Sequence, residues 1–255
     1  MENMCMMKKT AWTKGDGMEI SNILMRDGLS LGVLQKLSFE SKLGINLKKN
    51  LHYFDKESLL EELQEASKWY DELEVLHELA LDYRIKSIQS INMKYNRYYP
   101  DHQARKVFDD LLGFRSLCND YDDILQLEKL PNFRVANMSF GKANDDGYRG
   151  VHVYYQHSGI HYPIEIQYNT YYDRQFNNWL HKYTYKKNYP DKVGRALRYC
   201  YENGRITAEK EFKEVLLNVL SSSERSLCTW LFCFKNNSWK ASGRIKKGTE
   251  SSSWI

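Results

Sequence analysis

Hydrophobic positions in the first hundred residues recur with a helical spacing. Between Gly17 and about Leu37, isoleucines and leucines follow this period only roughly. From Asp55 the period is sustained for more than forty residues that contain neither Gly nor Pro, and Pro100 closes the segment. The pattern therefore predicts a helical N-terminal part that contains one long helix.

After Pro100 the pattern changes to short apolar or alternating runs bounded by turn residues, which is typical of strands. Four strands are predicted, DLLGFRSLC, FRVANMSF, VHVYYQ and YPIEIQY. The segment YDDILQLEKL between the first two predicts a helix, and GKANDDG before the third predicts a loop.

Beyond the last strand the helical period returns. Three helices are predicted, YYDRQFNNWLHKYTYKK, DKVGRALRYCYEN and TAEKEFKEVLLNVL, with Thr207 at the start of the last. From Ser221 the period is lost, so we expect a poorly ordered tail whose Trp230, Phe232 and Phe234 contact a partner. The predicted organisation is a flexible start (1–17), a helical part (18–100), a core of strands with C-terminal helices (101–220) and a flexible tail (221–255).

Composition narrows the functional classes. The 255 residues are 42% hydrophobic, which suffices for a sizeable core, and the formal net charge is only +4. This balance argues against a protein that coats nucleic acid, although it leaves room for a local basic patch. The five cysteines have no metal-binding spacing, and no signal peptide or membrane-spanning run is present. We therefore expect a cytoplasmic protein in a reducing compartment.

The segment RIKSIQSINMK carries the first candidate site. Lys86, Ser90 and Lys94 are spaced i, i+4 and i+8, so on a helix they share one face, with Arg84 to the side. Three cations and a hydroxyl on a rigid surface suit a triphosphate. The alternative is a solvated basic face.

Two strand segments add carboxylates. In DLLGFR, Asp110 can hold Mg²⁺, Gly113 permits close approach of a ligand, and Arg115 can contact a phosphate. In YPIEIQY, Glu165 and Gln167 share a strand face, where the glutamate can complete a metal site or accept the proton of an attacking hydroxyl. The alternatives are a strand-end ion pair and an exposed polar face.

Two further segments carry residues suited to binding a second substrate, which is called the acceptor below. In GYRGVH, Tyr148 on a flexible glycine-flanked loop can stack on a base, with Arg149 beside a phosphate; the alternative is a surface hairpin. In NNWLHKYTYKK, Asn177 and His181 lie i, i+4 on one helix face. The alternative there is an amphipathic helix with Trp179 in the core.

Taken in order, RxKxxxSxxxK, DxxGxR, GYRxxH, ExQ and NxWLH…YK resemble the RelA/SpoT-type alarmone synthetase domain. The resemblance covers roughly 84–187. It implies an α/β (α+β) fold, with a mixed β-sheet of the nucleotidyltransferase type flanked by helices. It also implies Mg²⁺-dependent transfer of the ATP β,γ-pyrophosphate to a 3′-hydroxyl.

The resemblance also implies residue roles. ATP would be held by Arg84, Lys86, Ser90, Lys94 and Arg115. Asp110 would bind Mg²⁺, and Glu165 would act on the acceptor hydroxyl as base or second metal ligand. The acceptor would be lined by Tyr148, Arg149, His152, Gln167, Asn177 and His181.

The acceptor-side motifs depart from the housekeeping members. Gly150 replaces a Ser, and Asn169 replaces an Arg before Thr170. The Asp-Tyr and Pro-Lys pairs that usually lead into GYR are missing, with only Lys142 as a substitute. This variant looks more like the toxic small alarmone synthetases of the FaRel type. That branch implies pyrophosphorylation of the tRNA CCA end, inhibition of translation and a cognate antitoxin. The alternatives are GTP or GDP as acceptor, an adenine nucleotide as acceptor, or an inactive RNA-binding module.

A tRNA acceptor needs cations outside the nucleotide site to hold the phosphates of the acceptor stem. Lys48 and Lys49 precede the long helix, and Arg134 lies in the strand that runs into the Tyr148 loop. We expect these three residues to form a tRNA-docking path. The alternative is three solvated surface cations.

Overall fold

The computed structural model describes residues 22–187 and 189–221. Its helices are α1 (22–26), α2 (Leu31–Lys36), α3 (Lys56–Asp71), α4 (Glu74–His77), α5 (Ile88–Tyr98), α6 (Ala104–Val107), α7 (Asp122–Leu125), α8 (Tyr171–Tyr183), α9 (Asp191–Glu202) and α10 (Glu209–Ser221), with 3₁₀ turns at Leu51–Tyr53, Gln126–Lys129 and Tyr185–Lys187. Its strands are β1 (Asp82–Ile85), β2 (Leu112–Cys118), β3 (Phe133–Asn137), β4 (Val151–Tyr155) and β5 (Ile164–Thr170).

The strands form one sheet in the order β1-β2-β5-β4-β3. Strands β2 and β5 pair in parallel, and the other neighbouring strands pair antiparallel. The prediction of a mixed sheet with flanking helices is confirmed. All four predicted strands are present as β2 to β5, because each has the short alternating pattern of a strand with one buried face.

The single long helix predicted before Pro100 is wrong. Helix α3 ends at Asp71, a strand spans Asp82–Ile85, and a new helix begins at Ile88. The strand forms because its backbone pairs antiparallel with β2, and this pairing overrides a weak helical preference. Lys86 therefore precedes helix α5, and the predicted i, i+4, i+8 stack on one helix does not exist.

The described chain divides into two compact units. The first takes in the residues up to Phe140 together with Arg149–Gln175, and the second takes in Gly141–Tyr148 and the residues from Phe176. The first unit contains the sheet, whose apolar face supplies core residues such as Phe114 and Ile166.

The core of the second unit joins α8, α9 and α10. Its largest members are aromatic, Phe176, Trp179, Tyr201 and Phe212. The position of Trp179 agrees with the interpretation of α8 as an amphipathic helix with this residue in the core.

None of the helices in the described residues combines the length and the apolar character that crossing a membrane requires. The predicted tail contacts at Trp230, Phe232 and Phe234, and the predicted flexible start, lie outside the described residues.

Candidate active site

A row of side chains crosses all five strands of the sheet. The pairing register sets Arg84 opposite Gly113, Gly113 opposite Glu165, Glu165 opposite Tyr154, and Tyr154 opposite Arg134. Directly paired residues point to the same face of a sheet. The row therefore brings residues from β1, β2, β5, β4 and β3 onto one face.

A second row lies two residues along the strands, on the same face. Asp82 pairs with Arg115, Arg115 with Gln167, and Gln167 with His152. Arg115 keeps 42% of its side chain exposed and lies 3.9 Å from the Asp82 carboxylate. The two rows bring together seven predicted site residues that are far apart in the sequence, Arg84, Arg115, Arg134, His152, Glu165, Gln167 and the small Gly113.

The Asp110 carboxylate, two residues before β2, is surrounded by cations. Its Oδ2 accepts a short hydrogen bond from Lys86 and lies 3.4 Å from an Arg84 guanidinium nitrogen. Its Oδ1 lies 2.9 Å from Lys94 Nζ on α5. Burial lowers the pKa of Lys86, against the opposing effect of Asp110. Three cations around one nearly buried carboxylate leave an excess of positive charge for a polyphosphate.

Ser90 lies in the first turn of α5. The side chain of Ser87 caps this helix and accepts a hydrogen bond from the Ser90 amide, at 3.4 Å. The two hydroxyl oxygens are 3.0 Å apart. The cap fixes where α5 begins, and so fixes the part of the chain that carries both Ser90 and Lys94.

Glu165 is buried but fully engaged by donors. Its Oε1 lies 2.9 Å from His152 Nδ1 and 3.1 Å from the Tyr154 hydroxyl, and its Oε2 accepts from Gln167 at 2.7 Å. Burial alone would raise the pKa of Glu165, but the hydrogen bond and electrostatic attraction to His152, with the hydrogen bonds from Gln167 and Tyr154, outweigh it and hold the pKa at about 2. The carboxylate is therefore ionised at neutral pH. A Cβ on Gly113 would lie 3.4 Å from Oε2, so glycine leaves the space beside this oxygen open.

Sequence reasoning missed Asp109. Its carboxylate lies 2.9 Å from Arg134 and 3.8 Å from Lys94. Burial raises its pKa to about 6, with Asp110 and Glu165 adding to the shift. The signal was the doublet Asp109–Asp110, of which only the second residue has the motif spacing.

Tyr154 was also missed. Its hydroxyl donates to Glu165, and the Arg134 guanidinium lies 3.7 Å from the centre of its ring. The alternation of VHVYY, which sets Tyr154 on the same face as His152, could have identified it. Arg134 is therefore tied to both Asp109 and Tyr154, although the sequence placed it only on a docking path.

A basic cleft of about 230 Å³ lies at the Arg134 edge of the same unit. Its cations are Lys48, Arg105 and Arg134, and none of the described residues that line it is acidic. Lys49, also exposed, holds its ammonium 5.1 Å from the centre of the Tyr53 ring. The cleft therefore brings two residues of the predicted docking path, Lys48 and Arg134, to one surface.

Three predicted acceptor residues belong to the second unit. Tyr148 is partly exposed, with the Lys142 ammonium 4.8 Å from the centre of its ring. Asn177 is buried, and its Oδ1 lies 3.4 Å from an Arg198 guanidinium nitrogen. His181 is exposed, and its ring packs edge-on to Tyr185 at 6.4 Å.

Arg149 belongs to the first unit and is buried. Its carbonyl accepts a hydrogen bond from Asn169 at 2.9 Å. Asn169 in turn accepts from Arg174 at 3.0 Å, so this buried asparagine links Arg149 and Arg174.

The donor set suits Mg²⁺ held together with a nucleotide. Within the described residues, no three His, Cys, Asp or Glu side chains are grouped so as to hold a metal ion by themselves. Mg²⁺ is usually bound through one or two carboxylates, with substrate phosphates and water completing its shell. Asp110 and Glu165 are oxygen donors of this kind, and the cations around Asp110 would attract the phosphates.

Residues 83–190 match the family described as "Region found in RelA / SpoT proteins". The match covers less than half of the 255 residues. The matched range contains both rows of the sheet face except Asp82, together with Asp109, Asp110 and the Tyr148 loop. Lys48, Lys49 and Arg198 lie outside it.

Several solved structures are remotely similar to this chain. Small alarmone synthetase 1 from Bacillus subtilis, bound to its product pppGpp, is 20% identical with a TM-score of 0.36, over 66% of this chain and 90% of that one. Small alarmone synthetase 2 from the same organism is 18% identical with a TM-score of 0.37, over 68% and 100%. A GTP pyrophosphokinase family protein from Streptococcus pneumoniae is 21% identical with a TM-score of 0.33, over 66% and 90%. No match was found among curated proteins.

Proposed function

We propose that this chain is an ATP-dependent pyrophosphotransferase that modifies the 3′-hydroxyl of the tRNA CCA end. The observation that carries the proposal is the Asp110 carboxylate, surrounded by three cations beside the Glu165 face of a RelA/SpoT region. Phosphoryl-type transfer depends chiefly on positioning and charge neutralisation, and this arrangement provides both.

The donor ATP would lie along the cationic side of the site. Arg84, Lys86, Lys94 and Arg115 would contact its phosphates, and the Ser90 hydroxyl would add a hydrogen bond. Mg²⁺ held by Asp110 and Glu165 would neutralise charge on the transferred phosphates. ATP binding would require Lys86 and Lys94 to exchange part of their contact with Asp110 for contact with phosphate.

The reaction would be a single displacement at phosphorus. The 3′-oxygen of the acceptor bonds to the β-phosphorus of ATP, the bond between that phosphorus and the α,β-bridging oxygen breaks, and AMP leaves with that oxygen. The hydroxyl proton is released to solvent as the new bond forms. Glu165, which is ionised, would either complete the Mg²⁺ site or accept the hydrogen bond of the attacking hydroxyl and so orient it, and either role would replace one of its present donors.

The acceptor proposal is supported by the surroundings of the site. Lys48, Arg105 and Arg134 line a cleft whose described lining has no acidic residue, which is the charge pattern that RNA phosphates require. Lys49 would extend this path, and Tyr148 would stack on the terminal base. The buried contacts of Asn169 are in line with an acceptor side that is built differently from that of the housekeeping enzymes.

Modification of the CCA end would block aminoacylation and so inhibit translation. We therefore propose that the protein is the toxin of a toxin–antitoxin pair, and that a cognate antitoxin protein neutralises it. Expression of the chain should arrest growth while guanosine alarmone levels stay flat, and co-expression of an adjacent small gene should restore growth. Growth arrest that accompanies a rise in alarmone would contradict this role.

The deciding experiment offers several acceptors to one enzyme. The protein is incubated with γ-labelled ATP, Mg²⁺ and either tRNA, GTP, GDP or unlabelled adenine nucleotide, with periodate-oxidised tRNA as the control that lacks a 3′-hydroxyl. Label on intact tRNA alone is the expected result. Label on GTP or GDP but not on tRNA would identify an alarmone synthetase, and label on adenine nucleotide would identify a (p)ppApp synthetase. If no acceptor is labelled, an inactive RNA-binding module is the better description.

A further inference from the structure

The loop that carries Tyr148 packs directly against the backbone of helix α9. Gly147 adopts φ +87°, and a Cβ added to it would lie 2.3 Å from the carbonyl oxygen of Gly194. A Cβ added to Gly194 would lie 1.9 Å from the carbonyl oxygen of Asp146. Neither distance is tolerable for a real side chain, so both positions require glycine for the two backbones to touch.

Arg198 holds the same loop from one helical turn further along α9. Its side chain is 1% exposed, and its Nε donates to the Gly147 carbonyl at 2.8 Å. Its guanidinium lies 4.3 Å from the centre of the Phe176 ring and 3.4 Å from Asn177 Oδ1. A buried charge is costly unless it is fully engaged, so the backbone carbonyl of the loop is an integral part of its surroundings.

The Asp146 carboxylate also holds the loop in place, by accepting hydrogen bonds. Its Oδ2 accepts from Lys142 at 2.8 Å and from the Tyr185 hydroxyl at 3.1 Å. Its Oδ1 accepts from the Tyr148 backbone amide at 3.1 Å. Lys142 also reaches over the Tyr148 ring. The segment that the sequence predicted to be flexible is therefore anchored at both its backbone and its side chains.

From these contacts we infer that Gly194 and Arg198 are positioning residues for the acceptor, holding the loop 141–148 so that Tyr148 is presented in one orientation. The inference rests on the proposed function, in which Tyr148 stacks on the acceptor base. It assigns Asn177 to the support of Arg198 rather than to direct acceptor binding. An aromatic ring held in place binds a base more tightly than a mobile ring, because less conformational entropy is lost on binding.

The test uses the full chain and compares variants of Gly194 and Arg198, here called the clamp, with a matched control. Gly194→Ala forces the loop off the helix, and Arg198→Lys keeps the charge but removes the planar fork of donors. The control is Gly32→Ala, where the nearest atom to the added Cβ is 3.9 Å away. For each protein, hydrogen exchange of 141–148 is measured together with the KM values for acceptor and for ATP.

We expect faster exchange of 141–148 and a higher acceptor KM in both clamp variants, with the ATP KM and the control unchanged. The rise in acceptor KM should be roughly fivefold to 150-fold, the range for losing one base stack. An unchanged ATP KM would show that the variants are folded, because a general loss of structure would change the ATP KM as well.

Two results would overturn the inference. Unchanged exchange in both variants would mean that the clamp does not hold the loop. Faster exchange with an unchanged acceptor KM would mean that the position of the loop does not matter to the acceptor. Failure of the proposed function is recognised separately, because the wild-type protein would then label no acceptor at all.

Discussion

At the scale of single residues, Asp110 differs from the other carboxylates of the site in having three cations around it. Asp110→Asn keeps the shape of the side chain and removes its charge. We expect kcat to fall roughly 10²- to 10³-fold, as for the removal of one electrostatic interaction of about 2.7–4 kcal/mol. The measurement is the rate of label transfer from γ-labelled ATP.

A matched control is an aspartate outside the two rows of the sheet face. Asp101 is exposed, so Asp101→Asn should leave the rate nearly unchanged. A wild-type rate in Asp110→Asn would show that the site has been misplaced.

Glu165 links the site to the pH dependence of stability. Its pKa is about 2 in the folded protein against an ordinary value of 4.5. A depressed folded pKa contributes stability that is fully present above pH 4.5 and is lost as the pH falls toward 2. Over this pH window, the free energy of unfolding should therefore fall less in Glu165→Gln than in the wild type. Urea denaturation at several pH values checks this, and parallel curves for the two proteins would contradict it.

Tyr148 tests the acceptor side at a single position. If its ring stacks on the acceptor base, Tyr148→Ala should lose about 1–3 kcal/mol of acceptor binding, whereas Tyr148→Phe should lose little. The acceptor KM of each variant measures this. Equal losses in both variants would point to the hydroxyl instead, and no loss in either would exclude an acceptor role.

At the scale of elements, helix α5 delivers Ser90 and Lys94 to the site, and Ser87 caps its first turn. Ser87→Ala should destabilise the protein by about 1 kcal/mol, since the capping hydrogen bond can no longer form. Ser87→Asn, which retains a capping oxygen, should restore most of this. Chemical denaturation gives both values, and equal stability of the alanine variant and the wild type would mean that the cap contributes nothing.

The edge strand β1 interrupts the long helix that the sequence predicts before Pro100, and its shortness explains why that prediction is wrong. Asp82–Ile85 has only four residues, with an alternation of exposed and partly buried positions that is too short to be recognised inside a helix-forming sequence. Its pairing with β2 is what makes it a strand and what turns Arg84 onto the polar face.

At the scale of the whole molecule, the small net charge of +4 conceals a locally basic cleft. Lys48→Glu with Lys49→Glu should weaken tRNA modification steeply and leave the KM for ATP unchanged. The salt dependence of tRNA binding should become shallower by roughly one unit of log–log slope for each phosphate that the variant no longer neutralises. Filter binding of tRNA over a range of salt concentrations measures the slope.

The control for this pair is a double charge reversal at other exposed lysines. Lys68 and Lys210 keep 77% and 88% of their side chains exposed. Arg134 is left out of the test, because it pairs with Asp109 and stacks on Tyr154, so that its replacement would disturb the site itself. If the Lys48–Lys49 variant labels tRNA at the wild-type rate, these residues are not the docking path.

The sequence by itself determined four of the five strands and the polar and apolar faces of β5, and it named Arg84, Lys86, Lys94 and Asp110 as site residues without their arrangement. These follow from local periodicity and from motif order, which are properties of short stretches of chain. The shared face of Glu165 and Gln167 needed only the alternation of a strand, and the structure agrees with it.

The tertiary structure decided the strand at Asp82, the roles of Asp109 and Tyr154, and the anchoring of the Tyr148 loop. Each depends on a partner distant in the sequence, such as Arg134 for Asp109, or Gly194 and Arg198 for Gly147. A glycine-flanked loop looks flexible in a sequence because glycine permits many conformations. Here Gly147 and Gly194 instead allow two backbones to touch. Only the packed structure shows that these glycines serve close packing and not flexibility.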